Sequence, residues 1–536
     1  MASLPWYHKT TIYQIYPRSF YDSNGDGIGD IPGIIQKLDY IQELGFETIW
    51  TSPFYASPQA DFGYDISDYN AVASEYGTIE DVSRLIEEVH RRRMRIVFDM
   101  VMNHTSIEHA WFGESRSSRD NPKADWYIWR DKPNNWQSMT GGSGWHYARE
   151  RKQYYWASFL PFQPDLNYRI PDVKEAMFDV VRFWLARGVD GFRLDLFNVI
   201  FKDHEFRNNP FSLSLIPSED EPSSFFQSAK YTLNLPESFI FAREFRSVCD
   251  EFGEKLSIGE VSGGTKTIRN FLGEEKNDGL TLVFDFWMLD FKFTEAFFHD
   301  LIQEMEQQYP HPFMPVYVFS NHDKRRSIDR LGNDRRKARL LHTLQLTVRG
   351  VPCMYYGEEI GMANNTFPVK TALDPIPHKF RWIPRFVFDL LGLTINRDEV
   401  RTPMQWNEDR NAGFSTAVRT WLPVHENHTE INVATEAADE NSLLTSIRSL
   451  MKIRGREQAL QEGSLTLVDH LPKNVLGYTR IKGNEKIFVL LNFEDAEKDF
   501  HLAGTECLVD LRSGRQLSGN RILLEGYGAL ILKEHC

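Results

Sequence analysis

The chain has 536 residues, of which 41% are hydrophobic and 13% aromatic, so it can bury a large core and is expected to contain more than one domain. Its net charge of −14 argues against nucleic acid or an anionic membrane surface as a partner. No basic start followed by an apolar run is present, and no segment stays apolar for about 18 residues, so neither a signal peptide nor a membrane span is expected. The 4 cysteines form no CxxC pair, which favours a reducing compartment and a cytoplasmic protein.

Short apolar runs rich in β-branched and aromatic residues predict eight strands. Between most of them, apolar residues recur every three or four positions, as in the segment with Val82, Leu85, Ile86 and Val89, which predicts amphipathic helices. Strands that alternate with helices are typical of a parallel sheet, and eight of them predict an α/β fold, a (β/α)8 TIM barrel. The predicted strands are Thr11–Tyr16, Phe46–Ser52, Met94–Val101, Val189–Leu196, Lys255–Val261, Leu280–Phe286, Pro315–Ser320 and Val351–Tyr356.

Two segments interrupt this alternation, and the pattern changes near the C-terminus. Residues 103–167 are crowded with Trp, Tyr, Asn, Gly and Pro and are too many for a simple loop, which predicts a small domain inserted after the third strand. A second insertion, residues 366–396, follows the eighth strand. From Ser464 onward strand-like segments follow one another without helices, which predicts an antiparallel β domain. The expected domains are the barrel (1–102 and 169–462), the inserted domain (103–168) and a C-terminal β-sandwich-like domain (463–536).

Charged and polar residues collect where the predicted strands end. Arg193 and Asp195 occupy alternate positions of the fourth strand and therefore point to the same face. The C-terminal strand ends of a (β/α)8 barrel face the active site, so the strand-end residues should converge on one rim. Several carboxylates together with two histidines suit either a divalent metal site or glycoside hydrolysis, and the aromatic-rich insertion together with Tyr64 favours a sugar. The strand-end residues are Asp99, Asn103, His104, Arg193, Asp195, Glu260, Asn321, His322 and Asp323.

Five motifs in chain order resemble those of glycoside hydrolase family 13, the α-amylase family. They are DMVMNHT (99–105), QPDLN (163–167), GFRLDLFN (191–198), SIGEV (257–261) and VFSNHD (318–323). The start IYQIYPRSFYDSNGDGIGD (12–30) and RTPMQW (401–406) are similar to the oligo-1,6-glucosidase and α-glucosidase branch. The resemblance covers nearly the whole chain and implies a retaining, exo-acting α-glucosidase that acts on short oligosaccharides through α-1,6 or α-1,4 bonds.

The resemblance implies a role for each strand-end charge. Asp195 is expected to be the nucleophile that forms a glucosyl ester, and Glu260 the general acid and then the base. Asp323 is expected to be a third carboxylate that grips sugar hydroxyls. Arg193 is expected to keep Asp195 ionised, because a neighbouring cation lowers the pKa of a carboxyl group.

Further residues are expected to bind the sugar. By resemblance, His104, His322 and Arg401 contact hydroxyl groups, while Asp61 and Tyr64 hold the non-reducing end and stack on the ring. Two aromatic residues are either a clamp at the site mouth or core of the inserted domain; they are Phe159 and Phe162. In this branch the residue after the nucleophile sorts linkage preference, Val with α-1,6 bonds and Thr, Ala or Gly with α-1,4 bonds. Leu196 departs from both patterns and, as a bulky aliphatic residue, leans toward α-1,6.

The segment DSNGDGIGD (22–30) raises a separate question. Its acidic residues match early positions of a calcium loop, but position twelve is Gly33 rather than Glu, so it is no EF-hand. By resemblance, the loop binds one structural Ca²⁺ or Mg²⁺, with no cofactor expected for catalysis; the alternative is a hydrogen-bonded Asx turn. The implied ligands are Asp22, Asn24, Asp26, Ile28 and Asp30.

Alternatives to hydrolysis remain open at this point. The same constellation serves glucosyl transfer, or isomerisation of sucrose or maltose, if water is kept out of the site. A less favoured alternative is a non-catalytic sugar-binding or transporter-associated relative, which would not need Asp195, Glu260 and Asp323 together. A small oligosaccharide is the expected partner, and the chain does not indicate whether the protein is a monomer or a dimer.

Overall fold

The fold is built around an eight-stranded parallel sheet that curls into a nearly closed barrel. The computed structural model describes residues 4–214, 223–380, 382–383, 385–390, 394–502 and 507–534. The barrel strands are β1 (Ile12–Ile15), β2 (Thr48–Thr51), β3 (Arg95–Val101), β4 (Gly191–Asp195), β5 (Leu256–Glu260), β6 (Leu282–Phe284), β7 (Val316–Val318) and β8 (Val351–Tyr355). Their order in the sheet is β6-β5-β4-β3-β2-β1-β8-β7. All eight predicted strands are confirmed, as is the (β/α)8 fold.

The barrel strands are buried along most of their length, as apolar runs covered on both faces should be. Helices follow the strands and bury their apolar faces against the barrel. The helix Ile79–Arg91 begins with a capping box in which Thr78 and Asp81 satisfy each other's backbone N–H groups. The helices are Pro17–Phe20, Ile31–Gln36, Leu38–Leu44, Ile79–Arg91, Ala110–Ser117, Pro171–Leu185, Pro236–Asp250, Thr265–Arg269, Glu295–Gln308, Ser327–Arg330, Arg335–Thr347, Pro375–Lys379, Arg385–Leu390, Val433–Ala438, Leu443–Arg456 and Gln458–Glu462.

The chain between β3 and the helix Pro171–Leu185 forms the predicted insertion. It carries a three-stranded antiparallel sheet of Trp129–Arg130, Trp145–Ala148 and Gln153–Trp156. Its two ends are joined at a neck, where His104 pairs with Asp165 and Tyr127 with Leu166 in antiparallel bridges. The inserted chain therefore leaves the barrel and returns to it at the same place.

A buried cation ties this neck to the barrel. The Lys202 ammonium, beyond the end of β4, donates to Asn103 Oδ1 at 2.7 Å and pairs with the Asp165 carboxylate. The Lys202 and Asp165 side chains are only 2% and 0% exposed, so the pair lies in the interior. Burial lowers the pKa of Lys202, and Asp165 opposes that shift.

Smaller elements complete the barrel rim. The strands Tyr55–Ala56 and Asp68–Val72 pair with each other after β2, and Ser223–Ser224 pairs with Gln227–Ser228 after β4. The predicted second insertion contains the short helices Pro375–Lys379 and Arg385–Leu390. Lys379 reaches the first insertion, where its ammonium donates to the Thr140 hydroxyl.

The C-terminal part is an antiparallel β domain, as predicted. A six-stranded sheet has the order Ser464–Leu467, Val475–Lys482, Glu485–Asn492, Ala529–Glu534, Cys507–Asp510, Gln516–Ser518, and a second sheet pairs Lys498–His501 with Arg521–Leu524. A buried guanidinium group joins this domain to the barrel, because Arg480 donates to the Thr347 carbonyl at 2.6 Å. In the described ranges, no helix has the length and apolar character needed to traverse a bilayer.

Candidate active site

Arg193 lies at the centre of the strand-end residues. Its Nη1 donates to Asp99 Oδ1 at 2.8 Å and to Asp195 Oδ1 at 2.9 Å, while its Nη2 bonds Glu260 Oε2. The parallel register explains this meeting, because Arg193 on β4 lies directly beside Asp99 on β3 and beside Ile258 on β5, two positions before Glu260. One guanidinium thus holds carboxyl groups from three adjacent strands.

Exposure divides these residues into two layers. The side chains of Asp195, Glu260 and Asp323 keep 9%, 17% and 31% of their surface exposed, whereas those of Arg193 and Asp99 keep 1% and 0%. The first three carboxylates therefore face the open end of the barrel, and the other two residues lie behind them.

The charge balance of the cluster differs from the expectation for Arg193. Burial raises the pKa of Asp195 to about 7; Arg193 lowers it, as expected, but does not outweigh burial, and the Asp99 charge adds to the rise. Burial likewise raises the pKa of Asp99 to about 6 against the pull of Arg193. Burial is the largest cause in both cases, and one guanidinium shared among three carboxyl groups does not offset it.

Two histidines lie beside this cluster in the neutral form. Gln14 Nε2 lies 2.8 Å from His322 Nδ1, which assigns the ring proton to Nε2, 2.6 Å from the Tyr64 hydroxyl. Burial lowers the pKa of His322 to about 3 and that of His104 to about 4. His104 Nε2 meets the Tyr64 carbonyl at 3.1 Å. Each neutral ring carries a single N–H, which Tyr64 engages in this structure, through its hydroxyl for His322 and through its carbonyl for His104.

Tyr64 connects the histidine to the carboxylate cluster. Its hydroxyl donates to Asp99 Oδ2 at 3.1 Å, and its ring stacks on His322 at 5.5 Å with planes only 3° apart. The ring is 5% exposed. Tyr64 is therefore a nearly buried ring with one face covered by His322.

Asp323 is held by cations on its inner side. Arg401 Nη2 donates to Asp323 Oδ1 at 2.6 Å, and Arg397 Nη1 approaches the same oxygen at 3.4 Å. Burial alone would raise the pKa of Asp323, but the charged Arg401 and Arg397 guanidinium groups hold that pKa well below its usual range. Arg401 is 0% exposed, and its Nε also donates to the His322 carbonyl at 2.9 Å.

Sequence reasoning missed Arg397, which joins two predicted site residues. Its Nη2 donates to Asp61 Oδ1 at 2.6 Å and to Asp374 Oδ1 at 2.9 Å, and its Nε donates to Asp374 Oδ2 at 3.0 Å. Gln163 of the first insertion donates to the other Asp61 oxygen at 2.9 Å. The signal available in the sequence was a second arginine four residues before the RTPMQW motif; nothing marked Asp374.

The remaining predicted residues occupy the rim. Phe159 is half-buried, and its ring centre lies 6.0 Å from the Arg397 guanidinium, whereas Phe162 is half-buried with no ring contact to these site residues. Leu196 has φ +41° and ψ 45°, a left-handed conformation that is strained for a leucine. That turn aims the Leu196 N–H at Glu260 Oε2, 3.4 Å away.

An aromatic group missed from the sequence lies beside Tyr16. Trp421 stacks on the Tyr16 ring at 6.1 Å and touches Phe62 at 5.2 Å, and the Arg18 guanidinium lies 5.0 Å from the Trp421 ring centre. Tyr16 in turn stacks on His322 at 6.0 Å. This group supports the histidine from the side opposite Tyr64.

The loop 22–30 is closed by hydrogen bonds to its own side chains. Asp22 accepts the Gly25 and Gly27 N–H groups at 2.7 and 2.8 Å, Asn24 accepts the Asp26 N–H at 2.9 Å, and Asp30 accepts the Gly33 N–H at 2.6 Å. These are Asx-type turns. Within the described residues, no group of three or more His, Cys, Asp or Glu side chains is arranged to hold a metal ion.

Comparison with known proteins identifies the family. The family model described as the α-amylase catalytic domain matches residues 14–463. The chain is 38% identical to a probable alpha-glucosidase of Rhizobium meliloti (98% of this chain, 97% of the relative) and 36% identical to an oligo-1,6-glucosidase of Parageobacillus thermoglucosidasius (93% and 92%).

Solved structures agree over the whole fold. The alpha-glucosyl transfer enzyme XgtA superimposes with a TM-score of 0.91 at 36% identity, covering 99% of this chain and 100% of that one. The trehalulose synthase MutB from Pseudomonas mesoacidophila gives a TM-score of 0.89 at 33% identity with the same coverage. The chain therefore belongs to glycoside hydrolase family 13, the α-amylase family, in its oligo-1,6-glucosidase and α-glucosidase branch.

Proposed function

We propose that this protein is a retaining, exo-acting α-glucosidase that hydrolyses short oligosaccharides. The observation that carries the proposal is the bridging of Asp195 and Glu260 by the single Arg193 guanidinium. Inverting enzymes separate their carboxyl groups by about 6.5–9.5 Å to admit a water, whereas retaining enzymes keep them about 5–5.5 Å apart. Two carboxyl groups bonded to one guanidinium suit the shorter separation, which supports double displacement.

The reaction would proceed in two steps. Asp195 attacks the anomeric carbon to form a glucosyl ester while Glu260 gives its proton to the departing glycosidic oxygen. Glu260 then takes a proton from water, whose oxygen attacks the anomeric carbon, so that the bond to Asp195 breaks and glucose and the free Asp195 carboxylate are released. Each step requires one carboxyl group of the cluster to be protonated while another is ionised. The raised pKa values of Asp195 and Asp99 support the presence of one proton on the cluster.

The sugar would be held by the residues around this pair. Neutral His104 and His322, with Tyr64, offer donors and a stacking face, and Asp323, kept ionised by Arg401 and Arg397, accepts from hydroxyl groups. Phe159, Phe162 and Leu196 would shape the leaving-group side.

The Asp61–Arg397 contact closes one end of the site between the two insertions. A closed end suits a terminal glucose better than the middle of a long chain, which supports exo action.

A second candidate is glucosyl transfer or sugar isomerisation by the same double displacement. It is favoured by the high similarity to XgtA, an alpha-glucosyl transfer enzyme, and to the trehalulose synthase MutB. The relatives named as oligo-1,6-glucosidases and alpha-glucosidases favour hydrolysis.

We also propose one structural Ca²⁺ or Mg²⁺ in the loop 22–30. The chemistry of the loop suits such an ion, because Ca²⁺ and Mg²⁺ prefer oxygen ligands. The loop offers the side-chain oxygens of Asp22, Asn24, Asp26 and Asp30 and the carbonyl oxygen of Ile28. None of the acidic side chains of the loop pairs with a cationic side chain in the described part of the chain. The hydrogen-bonded turns already close the loop, so the ion would add stability without taking part in the reaction.

The division into a barrel (1–102 and 169–462), an inserted domain (103–168) and a C-terminal domain (463–536) is part of the proposal. The neck bridges near residues 104 and 165 support the inner boundaries. A cytoplasmic location is proposed as well, and the free thiols of Cys249, Cys353 and Cys507 support it.

Product analysis tests the function. Purified protein is incubated with isomaltose, maltose, sucrose, trehalose and soluble starch, and products are separated by chromatography. Glucose from a disaccharide with starch untouched is the expected result, and new di- or trisaccharides in place of glucose would favour transfer or isomerisation.

Asp195→Asn should remove turnover with folding retained, and wild-type activity in that variant would contradict the nucleophile role. Glu260→Gln should lose less activity on nitrophenyl glucosides, whose leaving group needs no protonation, than on isomaltose.

A further inference from the structure

A cleft of about 780 Å³ lies between the barrel helix Arg335–Thr347 and the C-terminal domain. Its walls carry five arginines but only two carboxylates, in a chain whose net charge is −14. Arg336 and Arg339 come from one face of the helix, and Arg512, Arg515 and Arg521 come from the C-terminal domain. The cleft shares no residue with the candidate active site.

Two of these arginines are neutralised. Arg336 pairs with Asp334 at 3.1 Å and with Asp495 at 2.6 Å, and Arg521 pairs with Asp499 at 2.6 Å. Those two guanidinium groups therefore need no further partner.

The other three have no carboxylate partner at ion-pair distance in the part of the chain that the structure describes. Arg339 Nη2 donates to the Asn441 carbonyl at 2.5 Å, and its buried Nε has no hydrogen-bond partner. Arg512 Nη2 donates to the Thr343 hydroxyl at 2.6 Å, a neutral acceptor. Arg515 lies exposed at the mouth.

The Arg512 charge is only partly compensated. Burial lowers the pKa of Arg512 to about 10; nearby Asp510 opposes the shift, and the Arg339 charge adds to it. Asp510 is itself engaged by the N–H groups of Arg512 and Ser513 at 3.1 and 3.3 Å. An anion in the cleft would relieve the repulsion between the two guanidinium groups.

We propose that this cleft binds a phosphate group, either as the free ion or as part of a sugar phosphate. Planar guanidinium groups match tetrahedral oxyanions through paired N–H bonds, and three of them without a carboxylate partner line this one cleft. The volume lies within the range of small-molecule sites, about 300–1,000 Å³. The negative charge of the rest of the chain disfavours a nucleic acid or an anionic membrane, which carry many charges over a wide surface.

Calorimetric titration of the full chain at low ionic strength tests this proposal. Inorganic phosphate and glucose 6-phosphate are titrated separately, with glucose and sodium chloride of matched ionic strength as controls. Saturable binding of at least one phosphate compound with one site per chain, and none of glucose or chloride, is expected. The tighter of the two compounds identifies the source of the phosphate group.

Variants locate the site. Arg339→Gln and Arg515→Gln should each weaken phosphate binding at least tenfold, while Arg91→Gln, an exposed arginine on the helix Ile79–Arg91, should leave it unchanged. Melting temperature and glucosidase activity confirm that each variant is folded. The proposal is overturned if neither compound binds with a Kd below about 1 mM, if chloride competes equally, or if both cleft variants bind as the wild type does.

Discussion

Asp374 is expected to act as a positioning residue for Arg397. It is 0% exposed, and its two oxygens accept the Arg397 Nε and Nη2 at 3.0 and 2.9 Å and the Arg397 backbone N–H at 2.8 Å. Asp374→Asn keeps the shape of the side chain but turns one acceptor into a donor that faces a guanidinium. The change should release Arg397 from the second insertion, while its contact with Asp61 remains.

The magnitude follows from the bonds that are lost. A hydrogen bond between charged groups contributes about 1.5–3 kcal/mol, and removing one partner of a buried ion pair costs about 3–5 kcal/mol. Because Arg397 keeps Asp61, we expect a loss of about 2–3 kcal/mol in folding stability. If about half of this loss is also felt in the transition state, kcat/KM falls roughly tenfold, since 1.36 kcal/mol corresponds to a factor of ten.

The assay compares kcat/KM on isomaltose with the midpoint of urea unfolding. Glu306→Gln is the matched control, because Glu306 accepts Arg349 Nε at 2.7 and 2.9 Å in a similar pair away from the site. The control should lose stability with kcat/KM within twofold of wild type. If Asp374→Asn lost stability in the same way with kcat/KM unchanged, the positioning role would be refuted.

Three further predictions follow from the charges described above. Asp99→Asn removes a charge that raises the pKa of Asp195, so the acid limb of kcat/KM should move to lower pH; an unmoved limb in a pH–rate profile would contradict this coupling. Lys202→Met leaves Asp165 buried without a cation, so the free energy of unfolding measured in urea should fall by about 3–5 kcal/mol. Lys174→Met breaks a more exposed pair with Glu244 and should lower it by about 1 kcal/mol or less. Equal losses in the two variants would contradict the argument from burial. A chelator should lower the melting temperature, and added Ca²⁺ or Mg²⁺ should restore it in the wild type but not in Asp22→Asn. If the melting temperature of the wild type did not respond, the loop would be stabilised by its Asx turns alone and the proposed ion would be contradicted.

The fold was predictable because its signals are local. Eight apolar runs, the helical periodicity between them and the helix-free C-terminal segments each depend on neighbouring residues, and each appears in the structure. The ends of the strands were harder to predict than the strands themselves. The predicted strand Leu280–Phe286 is observed only as Leu282–Phe284, because the apolar run continues into residues that do not pair with the neighbouring strands. The last strand-like segment, ILLEGYGALIL (522–532), does not form one strand but contributes to two, Arg521–Leu524 and Ala529–Glu534, on either side of a turn.

Most residues of the candidate site could be predicted from the sequence, but the hydrogen bonds and ion pairs between them could not. The alternation of Arg193 and Asp195 predicted their contact, but the parallel register was needed to bring Asp99 and Glu260 onto the same guanidinium. The net effect on the Asp195 pKa depends on burial and on all of these neighbours together, so only the sign of the Arg193 contribution could be predicted from the sequence. Asp374 lies 23 residues from Arg397, and no local pattern connects the two.

The neck of the first insertion has a consequence for how such enzymes diversify. Since the inserted chain departs from and returns to the barrel at one point, changes in its length need not alter the register of the barrel strands. The same insertion supplies Gln163, which bonds Asp61, and Phe159, whose ring lies near Arg397, to the wall of the candidate site. Natural variation or laboratory grafting between the neck bridges can therefore retune sugar choice while the reacting carboxylates stay where the barrel holds them.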